Sequence, residues 1–239
     1  MNWLTMTMRW LTTARTQPYK LKILLANLEQ GAEVTSGYVQ YFFNSLKYFL
    51  PHNLTQTQRF RDFLSKQSYD LALFTEDTTN IKGSDGLGQF ITNQPLLAEW
   101  QNSWGESISM YSDQPKPYLR SKIKQLSSNR GLVIIELTDY VIALTHLSLW
   151  RKATRKKQVD EIIFELNNYS KPIILCGDFN DTSLFISGFK KIKIPATYPS
   201  WNPKKSLLNV YVKGDVEITA IEILPIRFSD HLSIFFTIK

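Results

Sequence analysis

The segment PIILCGDFN, residues 172–180, combines a buried strand with polar residues at its end. Its first five residues form a short apolar run of the kind that fills a buried strand, and the run ends at Gly177. Two polar side chains, Asp178 and Asn180, follow at once. Because the end of a buried strand is a rigid platform, side chains placed there are well suited to form a functional site.

The same arrangement recurs along the chain. Asn27 follows the run KILLA, Glu76 follows LALFT, and His146 ends the run VIALTH. Asp230 and His231 stand just before the last apolar run, LSIFFTI. Each polar residue taken alone is better explained as a strand-end turn residue that bonds nearby backbone amides. The chain has only three histidines, however, and two of them at such positions favour a shared site.

Length and composition restrict the class of protein. With 239 residues, of which 43% are hydrophobic and 13% aromatic, the chain suits one sizeable domain with a packed core. No apolar run reaches the roughly 18 residues that a membrane span needs. The single cysteine, Cys176, excludes an internal disulfide framework and favours a reducing, cytoplasmic location.

The net charge of +7 would attract anionic substrates such as phosphodiesters, lipid headgroups or nucleic acid. A basic solubilising surface explains the same charge equally well. Lysine and arginine are concentrated in residues 151–157 (RKATRKK), shortly after the candidate site residue His146. This segment follows a helical pattern, and we interpret it as a solvated helix face that could also reach toward a substrate.

The secondary-structure pattern predicts an α/β fold of the α+β type. Helices are expected near residues 36–50, from Thr55 onward and over residues 151–168. Residues 131–137 and 140–147 are the clearest β-hairpin, and further hairpins dominate the end of the chain. This order suits a four-layered sandwich, with two packed mixed β-sheets flanked by helices, better than a doubly wound parallel sheet.

The start of the chain differs in composition from the rest. Residues 1–19 contain no acidic residue and two arginines, but lack the apolar core and cleavage site of a secretory signal. We interpret them as a loosely attached N-terminal leader. Residues 20–239 contain no internal repeat or linker and are predicted to form a single domain.

The candidate site residues offer oxygen ligands and no sulfur. Asparagine, aspartate and glutamate suit a hard cation such as Mg²⁺, with Mn²⁺ as an alternative, because Mg²⁺ keeps several waters and takes few protein ligands. Phosphoryl chemistry uses such a cation to neutralise charge on the phosphate. It also needs an acid or base, and an imidazole with a near-neutral pKa can serve as either.

Three short motifs in a fixed order resemble the endonuclease/exonuclease/phosphatase superfamily, which has the deoxyribonuclease-like fold. They are THL at 145–147, GDFN at 177–180 and SDH at 229–231, preceded by a strand-end asparagine and glutamate in the family's order. The segment TYPSWNP at 197–203 is also similar to segments of small bacterial members. Each motif alone is weak, but the ordered set is specific, and the resemblance covers residues 20–239.

The resemblance implies a metal-dependent phosphoesterase that hydrolyses a phosphodiester or phosphomonoester by metal-assisted attack of water. The superfamily includes DNA nucleases, RNA deadenylases, inositol-phosphate phosphatases and sphingomyelinases, so the substrate stays open between nucleic acid and a phospholipid headgroup. We expect a monomer. The implied roles are metal binding by Asn27, Glu76 and Asp230, orientation of water and a phosphate oxygen by Asp178 and Asn180, and phosphate binding with proton transfer by His146 and His231.

One departure from the family pattern concerns the last histidine. Many relatives carry an aspartate that orients it, where this chain has Asn209. An amide can accept a hydrogen bond from His231, but it cannot stabilise an imidazolium as a carboxylate can. Asn209 therefore has a predicted orienting role, and it also supports a second hypothesis, a catalytically degenerate member that binds an anionic partner. A third hypothesis, a basic nucleic-acid-binding module without a site, predicts that Asp178 and His231 lie far apart.

Overall fold

The computed structural model describes residues 20–37, 39–40, 54–78, 86–113 and 118–239. The predicted leader at 1–19 and most of the predicted helix at 36–50 lie outside the described residues. Within the described ranges, no helix combines the length and the apolar character needed to cross a membrane.

The first of two six-stranded sheets contains the beginning and the end of the described chain. Its single parallel pair is formed by the first two strands in sequence, and its other neighbours are antiparallel. In spatial order its strands are β11 (Ile218–Ile223), β12 (Ile234–Ile238), β1 (Leu21–Asn27), β2 (Leu71–Thr78), β4 (Glu106–Tyr111) and β3 (Leu96–Gln101).

The second sheet is also mixed. Its spatial order is β5 (Tyr118–Leu126), β6 (Arg130–Leu137), β7 (Val141–His146), β8 (Ile173–Asp178), β10 (Leu208–Lys213) and β9 (Lys190–Lys191). β6 and β7 form the hairpin predicted from the sequence. β7 and β8 run parallel, so a crossover must connect them.

Three α-helices lie within the described residues: α1 (Thr55–Leu64), α2 (Leu87–Thr92) and α3 (Lys152–Leu166). α3 forms the crossover between β7 and β8, and its Val159, Ile162 and Leu166 face the second sheet at helical spacing. α1 begins at Thr55, as predicted. Thr55 is its first helical residue, and the N-cap position before it is occupied by Leu54.

The core has three parts, which correspond to the contacts between four layers. The central part lies between the sheets and joins side chains such as Leu25 and Leu73 to Leu144 and Ile174. A second part lies under α3, and a third packs α1 and α2 against the outer face of the first sheet. The predicted four-layered sandwich of two mixed sheets flanked by helices is therefore confirmed.

The strand directions bring many strand termini to one edge of the sandwich. In the first sheet Asn27 is paired with Thr75, and Thr78 is paired with Glu106. In the second sheet Asp178 is paired with both His146 and Leu208. The ends of β1, β2, β7 and β8 thus meet the starts of β4, β6, β10 and β12, and the candidate site lies at this edge.

Candidate active site

Asn27 connects the two sheets. Its Nδ2 donates hydrogen bonds to Glu76 Oε1 of the first sheet at 3.0 Å and to Asp178 Oδ2 of the second at 3.1 Å. Its Oδ1 accepts the backbone N–H of Glu29 at 2.9 Å. These three partners fix the orientation of the amide, so Asn27 presents nitrogen, and not oxygen, to the two carboxylates.

Glu76 and Asn180 reach the site through unusual backbone conformations. Glu76 has φ of +52° and lies in an irregular part of the pairing between β2 and β4, where a bulge redirects a side chain. Asn180 has φ of +50°, and its N–H donates to Asp178 Oδ1 at 2.9 Å. Positive φ costs free energy in a residue with a Cβ, and such strain is typical of functional sites.

His146 is held at both ring nitrogens. Its Nδ1 lies 2.9 Å from Glu106 Oε1, and its Nε2 lies 3.0 Å from Asn180 Nδ2 and 3.7 Å from Glu76 Oε1. Burial and the Arg130 charge lower the pKa of His146, but the hydrogen bond and charge of Glu106 and the charge of Glu76 outweigh them, so its pKa is raised. The neighbouring carboxylates therefore stabilise the protonated form of His146 relative to a free imidazole.

Glu106 and Arg130 are site residues that the sequence prediction missed. Arg130 Nη1 forms an ion pair with Glu106 Oε1 and lies 3.3 Å from His146 Nδ1. Burial would raise the pKa of Glu106, but the hydrogen bond and charge of His146 and the charge of Arg130 lower it to about 2. The two residues thus anchor His146 in a charged, largely buried cluster.

His231, the second candidate histidine, lies beside Asp178. Its Nε2 is 3.4 Å from Asp178 Oδ2 and 3.9 Å from Asp230 Oδ1, and its ring packs against Tyr198 with the centroids 4.8 Å apart. Ser229 Oγ donates to the carbonyl of Asn27 at 2.8 Å, which ties this loop to the end of β1. The Nδ1 atom of His231 is buried and has no hydrogen-bond partner among the described residues.

Asn209 does not make the hydrogen bond on which its predicted orienting role depends. It lies at the expected edge, because β10 pairs it with Gly177. Its Nδ2 donates to the carbonyl of Leu207 at 2.9 Å and more weakly to those of Asp181 and Ser206. Its Oδ1 is buried and has no hydrogen-bond partner within the described part of the chain. In this geometry Asn209 fixes local backbone rather than His231.

Gly177 allows β8 to approach β7 closely just before the site. A Cβ atom at this position would lie 1.8 Å from the carbonyl oxygen of Thr145 on the neighbouring strand. Its φ of +138° is also a conformation that side-chain-bearing residues avoid. The glycine of the GDFN motif is therefore required by packing, and it sets the position of Asp178.

Negative charge accumulates between β1 and the loop before β12. Burial and the charge of Asp230 raise the pKa of Glu29 to about 10. Burial also raises the pKa of Glu76 to about 7; His146 opposes this rise, while Glu106 and Asp230 add to it. In contrast, burial would raise the pKa of Asp178, but the two histidines lower it. Several carboxyl groups thus repel one another at this end of the site.

This donor set fits a hard divalent cation. Burial is the main cause of the raised pKa values of Glu29 and Glu76, and repulsion from Asp230 adds to it, so a positive charge here would be favourable. Glu29 Oε1 is a buried oxygen without a hydrogen-bond partner among the described residues. No group of three or more His, Cys, Asp or Glu side chains in the described ranges forms a metal cage. Mg²⁺ does not need one, because it is commonly bound by one or two carboxylates and several waters.

All seven residues predicted for metal binding or catalysis are brought together in one network. The contacts join Asn27, Glu76, His146, Asp178, Asn180, Asp230 and His231. Asp178 and His231 are in contact, so the hypothesis of a basic module without a site is wrong. The network also includes Glu106 and Arg130, which begin β4 and β6.

Comparison with known proteins by sequence does not assign the chain to a family. No family model matches the chain. Midasin of Dictyostelium discoideum is 24% identical over 174 residues, which make up 70% of this chain. The chain spans only 3% of the length of that protein.

Comparison by structure identifies the fold. Humanized D. rerio TDP2 superposes with a TM-score of 0.68 at 15% identity, over 92% of this chain and 99% of that one. The human Nocturnin catalytic domain with bound sulfate gives 0.65 at 14%, over 92% and 93%. An endonuclease/exonuclease/phosphatase from Bacteroides vulgatus gives 0.66 at 14%, over 92% and 99%. The chain therefore has the endonuclease/exonuclease/phosphatase fold, as its motifs suggested.

Proposed function

We propose that this protein is a divalent-metal-dependent phosphoesterase that hydrolyses a phosphodiester or phosphomonoester by attack of water. The observation that carries the proposal is the paired arrangement of His146 and His231, each beside a carboxylate, around the link between Asn27 and Asp178. Two structural neighbours hold phosphate-like or phosphate-containing groups: human Nocturnin has a bound sulfate, and D. rerio TDP2 has a single-strand DNA product.

Glu76 and Asp230 are the proposed metal ligands, with Mg²⁺ as the ion and Mn²⁺ as an alternative. Both offer carboxylate oxygen at the end of the site where the carboxyl groups repel one another. Asn27 holds Glu76 and Asp178 in position through its amide nitrogen, and in this geometry its metal role is indirect. A bound cation would offset the charge that develops on the phosphate and favour deprotonation of water.

Asp178 and Asn180 would orient the attacking water and one phosphate oxygen. Asp178 accepts hydrogen bonds from Asn27 and Asn180 and lies beside His231, which keeps its pKa low and its carboxylate ionised. An ionised carboxylate at this point can accept a hydrogen bond from water. Asn180 Nδ2 donates to the carbonyl of Leu147 at 2.9 Å, which holds its amide in place.

His146 and His231 would bind the phosphate and share the proton transfers. The raised pKa of His146 favours an imidazolium that can donate a hydrogen bond to an anionic phosphate oxygen. His231 can exchange a proton through Nε2, which lies beside Asp178 and Asp230. Two imidazoles, each beside a carboxylate, suit general acid–base chemistry.

The direct test is hydrolysis of bis(p-nitrophenyl) phosphate with Mg²⁺ or Mn²⁺ and with EDTA as a control. Metal-dependent release of nitrophenol is expected, and Asp178→Asn should reduce it by about 100-fold or more. The matched control is Asp215→Asn, an exposed aspartate beyond the end of β10, away from the site. Equal effects of the two variants, or activity that EDTA does not touch, would refute the proposal.

A degenerate, non-catalytic member that binds an anionic partner is the second candidate. The observation in its favour is that His231 Nδ1 lacks the carboxylate partner that the family pattern supplies. It predicts that inorganic phosphate binds with an affinity that depends on His146 and His231, while no ester is hydrolysed with either metal. Turnover by the wild type that Asp178→Asn removes would exclude it.

A further inference from the structure

An exposed segment of mixed aromatic and basic character begins three residues after His146. Residues 149–157 (LWRKATRKK), here called the aromatic–basic segment, contain five cationic residues and no acidic one. Leu149 is 54% exposed and Trp150 is 78% exposed. Since an extended chain spans at most about 3.6 Å per residue, the Cα of Trp150 lies at most about 14 Å from that of His146.

The backbone of this segment is fixed. Arg155 Nη1 donates to the carbonyls of Leu149 at 2.9 Å and Ser148 at 3.2 Å, and Arg155 Nη2 pairs with Asp181 at 3.2 Å. Gln158 is fully buried, accepts the Ser148 N–H at 3.0 Å and donates to Ser148 Oγ at 2.8 Å. Trp150 is therefore held exposed on a rigid loop, which lowers the entropy lost when it meets a ligand.

The charges of the segment oppose the stability of its own helix. Arg151 is the N-cap of α3, has φ of +51° and makes no side-chain cap hydrogen bond, and the first turn has no acidic residue. Cations at the positive end of a helix dipole are unfavourable, and positive φ adds strain. An external anion at this helix end would compensate both Arg151 and Lys152, and it would lie near first-turn backbone N–H groups, which have no acceptor within a helix.

Two further exposed aromatic side chains lie on neighbouring loops at the same edge. Trp104 precedes Glu106, the partner of His146, by two residues, and Phe185 follows Asn180 by five. Planar side chains interleaved with cations suit a ligand that has both phosphates and flat apolar faces. The segment presents two large apolar side chains beside four exposed cations, since Arg155 is paired with Asp181. This balance of charge over apolar area fits such a ligand better than insertion into lipid chains.

We propose that the aromatic–basic segment binds a single-stranded nucleic acid beside the scissile phosphate, with Trp150 stacked on a base and Arg151 and Lys152 on the adjacent phosphates. This substrate assignment rests on the proposed phosphoesterase function. Stacking on an aromatic side chain tolerates any base, so the segment confers preference for unpaired strands rather than for a sequence. The substrate is thereby narrowed to a flexible polynucleotide.

The test measures binding of fluorescent oligothymidylate by anisotropy, in an Asp178→Asn background that prevents hydrolysis. Trp150→Ala should weaken binding about tenfold, because one stacked base is lost. Trp150→Phe, which keeps an aromatic face, should retain most of the affinity. The matched control is Phe164→Ala: Phe164 is 76% exposed on α3, outside the segment, and its removal should leave binding unchanged.

A strand of abasic sites carries the same phosphates without bases, and it should bind more weakly than oligothymidylate and show no effect of Trp150→Ala. Equal affinity for the two strands, or equal effects of Trp150→Ala and Phe164→Ala, would overturn the proposal. So would binding to anionic vesicles without binding to the oligonucleotide. Hydrolysis of bis(p-nitrophenyl) phosphate by the wild type tests the proposed function separately, so a failure of that function is distinguishable from a failure of strand binding.

Discussion

Replacing Glu106 by glutamine removes the charge that holds His146 and Arg130 together while keeping the size of the side chain. Glu106 Oε1 lies 2.9 Å from His146 Nδ1 and pairs with Arg130. Its pKa is lowered from 4.5 to about 2. At about 1.4 kcal/mol per pH unit, this difference corresponds to about 3 kcal/mol of folding free energy when the carboxylate is ionised.

The dependence of this effect on pH has a definite sign. Because the folded-state pKa of Glu106 is depressed, its contribution is present above pH 4.5 and is lost as the pH falls through about 2. The pKa of His146 is raised above 6.5, so its contribution is complete below pH 6.5 and is lost as the pH rises through the folded value. The wild type and Glu106→Gln should therefore differ most between these limits.

Urea unfolding followed by far-UV circular dichroism measures this difference. The loss in free energy of unfolding for Glu106→Gln should be about 3 kcal/mol near pH 5.5 and clearly smaller near pH 3. Glu217→Gln serves as the control, because Glu217 is exposed and only 3.9 Å from Lys239 in a surface ion pair, and it should change stability little at either pH. An equal loss for Glu106→Gln at both pH values would refute the assignment of its charge to this cluster.

Three further predictions concern the strand ends. Glu76→Gln removes a charged ligand, so it should lower metal-dependent hydrolysis sharply, with partial recovery at high Mg²⁺. Rates measured across a Mg²⁺ titration test this prediction. An unchanged rate at limiting metal would contradict it. Gly177→Ala should lower the free energy of unfolding by at least about 2 kcal/mol in urea, because its Cβ would overlap the Thr145 carbonyl. Asn209→Asp should lower the free energy of unfolding by about 1–3 kcal/mol, since a carboxylate cannot donate to the Leu207 carbonyl. The rate of ester hydrolysis and its pH profile should not change. A faster variant would show instead that the new carboxylate reaches His231.

The sequence predicts the site where a single strand contains both the apolar run and the polar residue. Asn27, Glu76, His146 and Asp178 were found in this way, because burial of the run fixes the strand and the strand fixes its end. The fold class was also accessible, since the order of runs and hairpins excludes a doubly wound sheet. The strand ends and the fold class depend on the local periodicity of apolar residues, which can be read from the sequence alone.

Glu106 and Arg130 could not be found by the same rule. They begin β4 and β6, and these strands are antiparallel to β2 and β7, so their starts and not their ends lie at the site. A rule that searches the residue after each apolar run passes over both. The one available indication is that a strand returning from a hairpin must begin where its partner ended, which requires strand pairing to be known first.

The two histidines show why position in the sequence did not determine role. Both stand at strand termini, yet His146 has a partner at each ring nitrogen. The buried Nδ1 of His231 has no partner in the part of the chain that the structure describes. Asn209, whose amide nitrogen donates to nearby backbone carbonyls, makes no hydrogen bond to His231. The fold therefore orients His146 through both ring nitrogens, whereas His231 is positioned through Nε2 beside Asp178 and Asp230.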